Sequence, residues 1–208
     1  RCAPLGLFAV ITHESTSTSS TKLSLFAGDD ADLAWQVDLG DTKAARSTPV
    51  LADVDLDGSF EIIIAYDTDT SVQVDVWSPE LYCDESGWQS GGHSNELLWS
   101  WTNTEYRIGV TSPHFQTRQS NHLSVTQPLL ADLELDGQPE LVLTVVDTTT
   151  DDPHIISLPL GANVPSENWD VTLDRGTHPS DPAWAQLDAQ TSVAVSYTHL
   201  TLPTSRSV

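Results

Sequence analysis

"PVLADVDLDGSFEIII", residues 49–64, sets three aspartates at alternate positions, then a glycine, a glutamate and an apolar run. "PLLADLELDGQPELVL", residues 128–143, repeats the arrangement. Pro49 to Pro128, Asp53 to Asp132 and Glu61 to Glu140 all keep a spacing of 79 residues. One acidic cluster ahead of an apolar run could be accidental; two in register mark a repeat. Each cluster leads into a short apolar strand, "EIIIAY" at 61–66 and "ELVLTVV" at 140–146, and each strand then reaches Asp-Thr. A further strand follows in both copies, "SVQVDVW" at 71–77 and "HIISLPL" at 154–160. The first of these alternates apolar and polar residues, the period of a half-buried strand.

Outside the two copies the repeat continues in weaker form. Tryptophans mark the end of each unit, in "LAWQVDLG" at 33–40, "LLWSWTN" at 97–103 and "NWDVTLDRG" at 168–176. Trp35, Trp99 and Trp169 hold matching positions, which favours core packing over sugar stacking; Trp88 is the candidate for an exposed aromatic. The segment 104–121 reads as an insertion, because Trp99 stands farther from the next proline than its counterparts do. "AWAQLDAQ" at 183–190 aligns with the acidic stretch but carries Gln186, Asp188 and Gln190. "LGLFAVIT" at 5–12 and "KLSLFAG" at 22–28 read as strands of an earlier unit. The units are then 1–40, 46–103, 125–176 and 180–194. Helical periodicity is absent, and Thr, Ser, Val and Trp are abundant, so the expected fold class is all-β. Units of this size with about four short strands are expected to form the antiparallel blades of a β-propeller, here a partial and open one.

The chain has 208 residues, with 30 Asp+Glu against 8 Lys+Arg and a formal net charge of -22. Such a surface repels nucleic acid and anionic membranes and attracts cations. No stretch approaches the ~18 apolar residues that suggest a membrane span. Cys2 and Cys83 fit either one disulfide or two free thiols. The chain has no methionine and no signal peptide, which suits an internal fragment. "VSYTHLTLPT", Val195–Thr204, resembles the conceptual translation of a sequencing-library transposon adapter. Residues 195–208 are therefore expected to be an artefactual tail outside the fold.

Numbered from Asp53, the first loop places Asp55 third, Asp57 fifth, Gly58 sixth, Ser59 seventh and Glu61 ninth. The second places Asp132, Glu134, Asp136, Gly137, Gln138 and Glu140 in the same order. Ca²⁺ takes about six to eight oxygen ligands. Alternate carboxylates on a curled loop can converge, a backbone carbonyl at the seventh position and a carboxylate at the ninth completing the shell. The plain alternative is a polar Asp-Gly turn with solvated acids. In the second loop Glu134 is one methylene longer than the aspartate at the equivalent position, so the first loop is expected to bind more tightly.

Other chemistry finds little purchase in the sequence. His13, His93, His114, His122, His154 and His178 form no closely spaced pair of zinc ligands. "SGGHSNE" at 90–96 is a Gly-rich stretch with no helix signal behind it to hold a phosphate. No Gly-x-Ser-x-Gly motif occurs, and nothing singles out a pair of acids for glycoside hydrolysis.

Pro-x-x-Ala-Asp-x-Asp-x-Asp-Gly-x-x-Glu followed by an apolar strand resembles the FG-GAP/VCBS-type repeat, the blade of integrin-α-like propellers. The resemblance spans 5–194 as spaced repeats, with the sharp motif at 49–64 and 128–143. It implies that the acidic loop joins a blade's first two strands and holds calcium. It further implies an extracellular or cell-surface, non-enzymatic module for adhesion, scaffolding or ligand presentation. Its partners would be protein or carbohydrate ligands met through blade loops, and further blades of its own full-length chain. Two alternatives stay open. One is the accessory propeller of a secreted polysaccharide-active enzyme. The other is a quinoprotein-like dehydrogenase propeller, which "FAGDDADLAWQVDLG" at 26–40 loosely resembles.

Overall fold

The computed structural model describes residues 7–14, 20–27, 32–40, 47–68, 70–84, 87–90, 97–108, 127–150, 152–161, 167–173, 178–179, 183–188, 191–195 and 198–199. For residues 7, 13–14, 20, 27, 32, 83–84, 87–90 and everything from 178 onward it describes the backbone alone. Every regular element among these is a strand. The first sheet is antiparallel, in the order β1 (Leu7–Glu14), β2 (Ser20–Ala27), β3 (Asp32–Gly40). The second runs β4 (Val50–Ala52), β5 (Glu61–Asp67), β6 (Val72–Trp77), β9 (Leu97–Asn103). Between its third and fourth strands stands a separate hairpin, β7 (Leu81–Asp84) and β8 (Gly87–Ser90), with β8 alongside β3.

The third sheet orders β12 (Glu140–Asp147), β13 (Pro153–Pro159) and β14 (Trp169–Thr172) in sequence. Two short strands share one edge of β12. β11 (Leu129–Ala131) pairs its first half, and β10 (Tyr106–Arg107) pairs its second. In the second sheet one continuous run does both jobs: β4 pairs the start of β5, and Ser47 bonds both backbone groups of Ala65 through its own N–H (2.7 Å) and Oγ (3.0 Å). The segment expected to be an insertion over 104–121 therefore starts later. Tyr106 and Arg107 belong to the third sheet, and 109–126 lie outside the described residues. Three small ladders complete the set: β16 (Ala183–Asp188) with β17 (Thr191–Val195), and β15 (His178–Pro179) with β18 (Thr198–His199), besides the β7–β8 hairpin. Thr198 and His199 of the expected artefactual tail thus pair as backbone with Pro179 and His178.

β5, β12 and β13 are buried on both faces for most of their length, which explains their near-continuous apolar runs. On β5, Ile62, Ile64 and Tyr66 pack against Leu23, Leu25 and Trp35 of the first sheet. Ile63 and Ala65, pointing the other way, join Val72, Val74, Val76, Trp99 and Trp101 against Leu141, Leu143, Val145, Ile156 and Leu158 of the third. All seven residues of β5 are buried. Burying each isoleucine contributes about 1.5–3 kcal/mol, so the second sheet is held by two cores. Trp35 meets Trp77 across the first interface, ring centroids 5.9 Å apart. Trp35 and Trp99 are buried and Trp169 half-buried, as strand residues of three successive sheets. None of these sheets closes on itself. No helix of the described residues is long and apolar enough to cross a membrane.

Candidate metal centre

Both acidic stretches join a three-residue edge strand to the strand it pairs with. Residues 53–60 join β4 to β5, and 132–139 join β11 to β12. The curl comes from two left-handed residues separated by one. Leu56 has φ 61° and Gly58 φ 93°; Leu135 has φ 57° and Gly137 φ 89°. A Cβ at Gly58 or Gly137 would meet nothing within 4 Å, so glycine is required there by backbone angle and not by space.

Three hydrogen bonds recur in both loops. The first aspartate accepts from the glycine N–H: Gly58 to Asp53 Oδ2 at 3.0 Å, Gly137 to Asp132 Oδ2 at 2.9 Å. The fifth-position aspartate accepts from the seventh N–H: Ser59 to Asp57 Oδ1 at 2.7 Å, Gln138 to Asp136 Oδ1 at 2.8 Å. The glutamate accepts from the second N–H: Val54 to Glu61 Oε2 at 2.9 Å, Leu133 to Glu140 Oε2 at 2.6 Å. These bonds tie each loop's carboxylates to its own backbone N–H groups.

The remaining contacts differ. In the first loop, oxygens of Asp53, Asp55 and Glu61 lie within 4.8 Å of one another. In the second the group is Asp132, Asp136 and Glu140. Asp57 stands outside the first group, and Glu134 outside the second. Glu134 is exposed and accepts from Asn168 Nδ2 at 3.4 Å, which draws it toward the approach to β14. Asp132 Oδ1 accepts the Asp136 N–H at 3.0 Å. Its counterpart Asp53 Oδ1 is buried without a hydrogen-bond partner. An orphaned buried carboxylate oxygen is costly unless a proton or a cation meets it. Ser59 is exposed, Gln138 is half-buried, and each would offer its backbone carbonyl.

Burial pushes the carboxyls of Glu61 and Glu140 above their ordinary range. The Val54 and Leu133 N–H groups oppose that shift, and the neighbouring Asp55 and Asp57, or Glu134, Asp132 and Asp136, add to it. A cation among these oxygens would reverse the repulsion. Donors that are all oxygen, anionic and set on a curled loop suit a hard divalent cation, not a soft one.

Sequence reading missed three supports of these loops. Ser78, just past β6, donates to Glu61 Oε1 at 3.3 Å. Gln138 lies against Gly161, where a Cβ would come within 2.4 Å of its Oε1. Asn168 holds Glu134. All three contacts come from segments beside other strands, at 78, 161 and 168, and no local motif announces them. Cys2, Trp88 as a side chain, the Cys83 side chain and 91–96 lie outside the described residues. Comparison with protein-family models, curated proteins and solved structures finds no match to this chain.

Proposed function

We propose that the chain is a calcium-stabilised segment of an extracellular β-propeller, a non-enzymatic module for adhesion, scaffolding or ligand presentation. The face-to-face stack of antiparallel sheets, two of which carry an acidic loop ahead of a buried strand (β5 or β12), supports the blade reading. The calcium reading rests above all on Asp53, whose buried Oδ1 lacks a partner beside Asp55 and Glu61. The ion pins the turn and neutralises acids that would otherwise repel, so its role is structural. Loops at the sheet ends present the recognition surface for a protein or carbohydrate ligand. Blades in series, each burying both faces, make a rigid mount for that surface.

The first loop binds more tightly than the second. Asp132 already spends both oxygens on backbone N–H groups, and Glu134 is turned toward Asn168. Affinity falls around the 10⁻⁴–10⁻³ M typical of extracellular calcium modules. Mg²⁺ competes poorly because it demands a tighter octahedral shell.

Thermal unfolding of the full chain in millimolar CaCl₂ and in chelator tests the reading. Calcium raises the melting temperature, and Asp53→Ala removes most of that gain, while in chelator it costs only the Gly58 N–H bond, about 0.5–1.5 kcal/mol. A melting temperature indifferent to chelation, with Asp53→Ala equally harmful in both buffers, returns the loop to a plain acidic turn.

A further inference from the structure

Glu61 and Glu140 have a second property that the cation reading does not use. Each is the last residue of its strand to pair with the strand before the loop, Glu61 opposite Ala52 and Glu140 opposite Ala131. Beyond that pair the preceding strand leaves the ladder, and Val54 and Leu133 lie two residues past its end. The glutamate side chain bonds the N–H of that residue in each copy. Its Oε2 takes the Val54 N–H at 2.9 Å in the first loop and the Leu133 N–H at 2.6 Å in the second. Donor, acceptor atom and separation of seven residues are the same in both copies, although the converging donors are not: Asp55 takes part in one and Asp136 in the other.

The position is built for this bond. Glu61 is fully buried and Glu140 2% exposed. Val54 is itself 1% exposed and packs in the core between the second and third sheets. The bond therefore ties the loop's entrance to its exit over a fixed hydrophobic base. In the first loop the other oxygen, Oε1, also has a protein partner, the Ser78 hydroxyl. An aspartate would fall one methylene short of the amide.

We propose that Glu61 and Glu140 are positioning residues that extend the strand ladder by a side-chain bond, so that each loop is closed by the protein before any cation is bound. Reach, not charge, is what the position requires. The ion then meets two aspartates already brought together, with the glutamate in support. The inference concerns the loops of the calcium reading but does not rest on it.

Amide hydrogen exchange of the full chain, in chelator and in CaCl₂, reads the clasp directly at Val54 and Leu133. In chelator both amides exchange more slowly than an open loop amide, on the order of tenfold or more. Glu61→Gln keeps that protection at Val54, since its Oε1 still accepts, whereas Glu61→Asp loses it. Leu133 is unchanged in both variants and reports that the rest has folded. Glu140→Gln and Glu140→Asp give the mirrored result at Leu133. Protection of Val54 that appears only with calcium, or that Glu61→Gln abolishes as fully as Glu61→Asp, overturns the proposal. Val54 protected in chelator together with no calcium effect on melting would sink the calcium reading and leave the clasp standing.

Discussion

Leu56 and Leu135 hold φ near 60°, a region that costs an L-residue with a Cβ about 1–2 kcal/mol. Leu56 is 56% exposed, so little burial compensates it. Replacing it with glycine relieves the strain and gives back about 0.5–1 kcal/mol in chain entropy. Leu56→Gly should thus leave stability unchanged or raise it by up to about 1 kcal/mol. Gly58→Ala, forced to φ 93°, should lose about 1–2 kcal/mol although the space is open. Denaturant titration of both variants checks the pair. A destabilised Leu56→Gly would mean that the exposed leucine packs against something outside the described residues. The two glycines were legible in the sequence as turn formers. The left-handed leucines were not, because leucine carries no signal for that conformation and only the curl of the loop imposes it.

Asp67 and Asp147 show how one local sequence serves two elements differently. Both close a strand and precede threonine. Asp147 caps its own hairpin, Oδ1 accepting the N–H groups of Thr149 at 2.6 Å and Thr150 at 2.8 Å. Asp67 reaches out instead, its Oδ1 accepting the Ile108 N–H at 2.8 Å as the chain crosses from the second sheet to the third. That crossing is fastened twice more. Asn103 Nδ2 donates to Glu167 Oε1 at 2.9 Å, and the Tyr106 hydroxyl donates to Asp170, which also holds His154 Nδ1 at 2.7 Å. Strand positions were readable from apolar period, but this strap was not, since 104–108 has the composition of a loop and earns its place by pairing β12. Removing the tyrosine hydroxyl with Tyr106→Phe should cost about 1–2 kcal/mol, seen as a lower denaturant midpoint. For Asp147 the Thr150 N–H bond is the chief cause that holds its carboxyl below the ordinary value of 3.8. A depressed carboxyl contributes stability that is present above that value and lost as pH falls through the folded one. The melting-temperature gap between the wild type and Asp147→Ala should therefore shrink as pH is lowered below 3.8. A gap constant from pH 5 to pH 2 would mean that the charge plays no part in the turn.

Across the molecule, the sequence announced the strands through apolar runs, yet it could not say that consecutive isoleucines serve different interfaces. Ile62 and Ile63 are both fully buried. Ile62 lies against Leu23, Leu25 and Trp35 of the first sheet, and Ile63 against the third-sheet residues Leu141, Leu143 and Ile156. An ordinary antiparallel sheet with one wet face would bury only one of the pair. A stack of sheets buries both, and each truncation then opens a cavity in a separate core. Ile62→Ala and Ile63→Ala should each cost about 2–5 kcal/mol. The double variant should approach their sum within about 0.5 kcal/mol, because the two side chains share no packing partner. Equilibrium denaturation in a single buffer measures all three. If Ile62→Ala costs under about 1 kcal/mol while Ile63→Ala costs several, the first sheet does not stack on the second in solution. The stack of sheets, and the propeller proposed from it, would then begin only at residue 47.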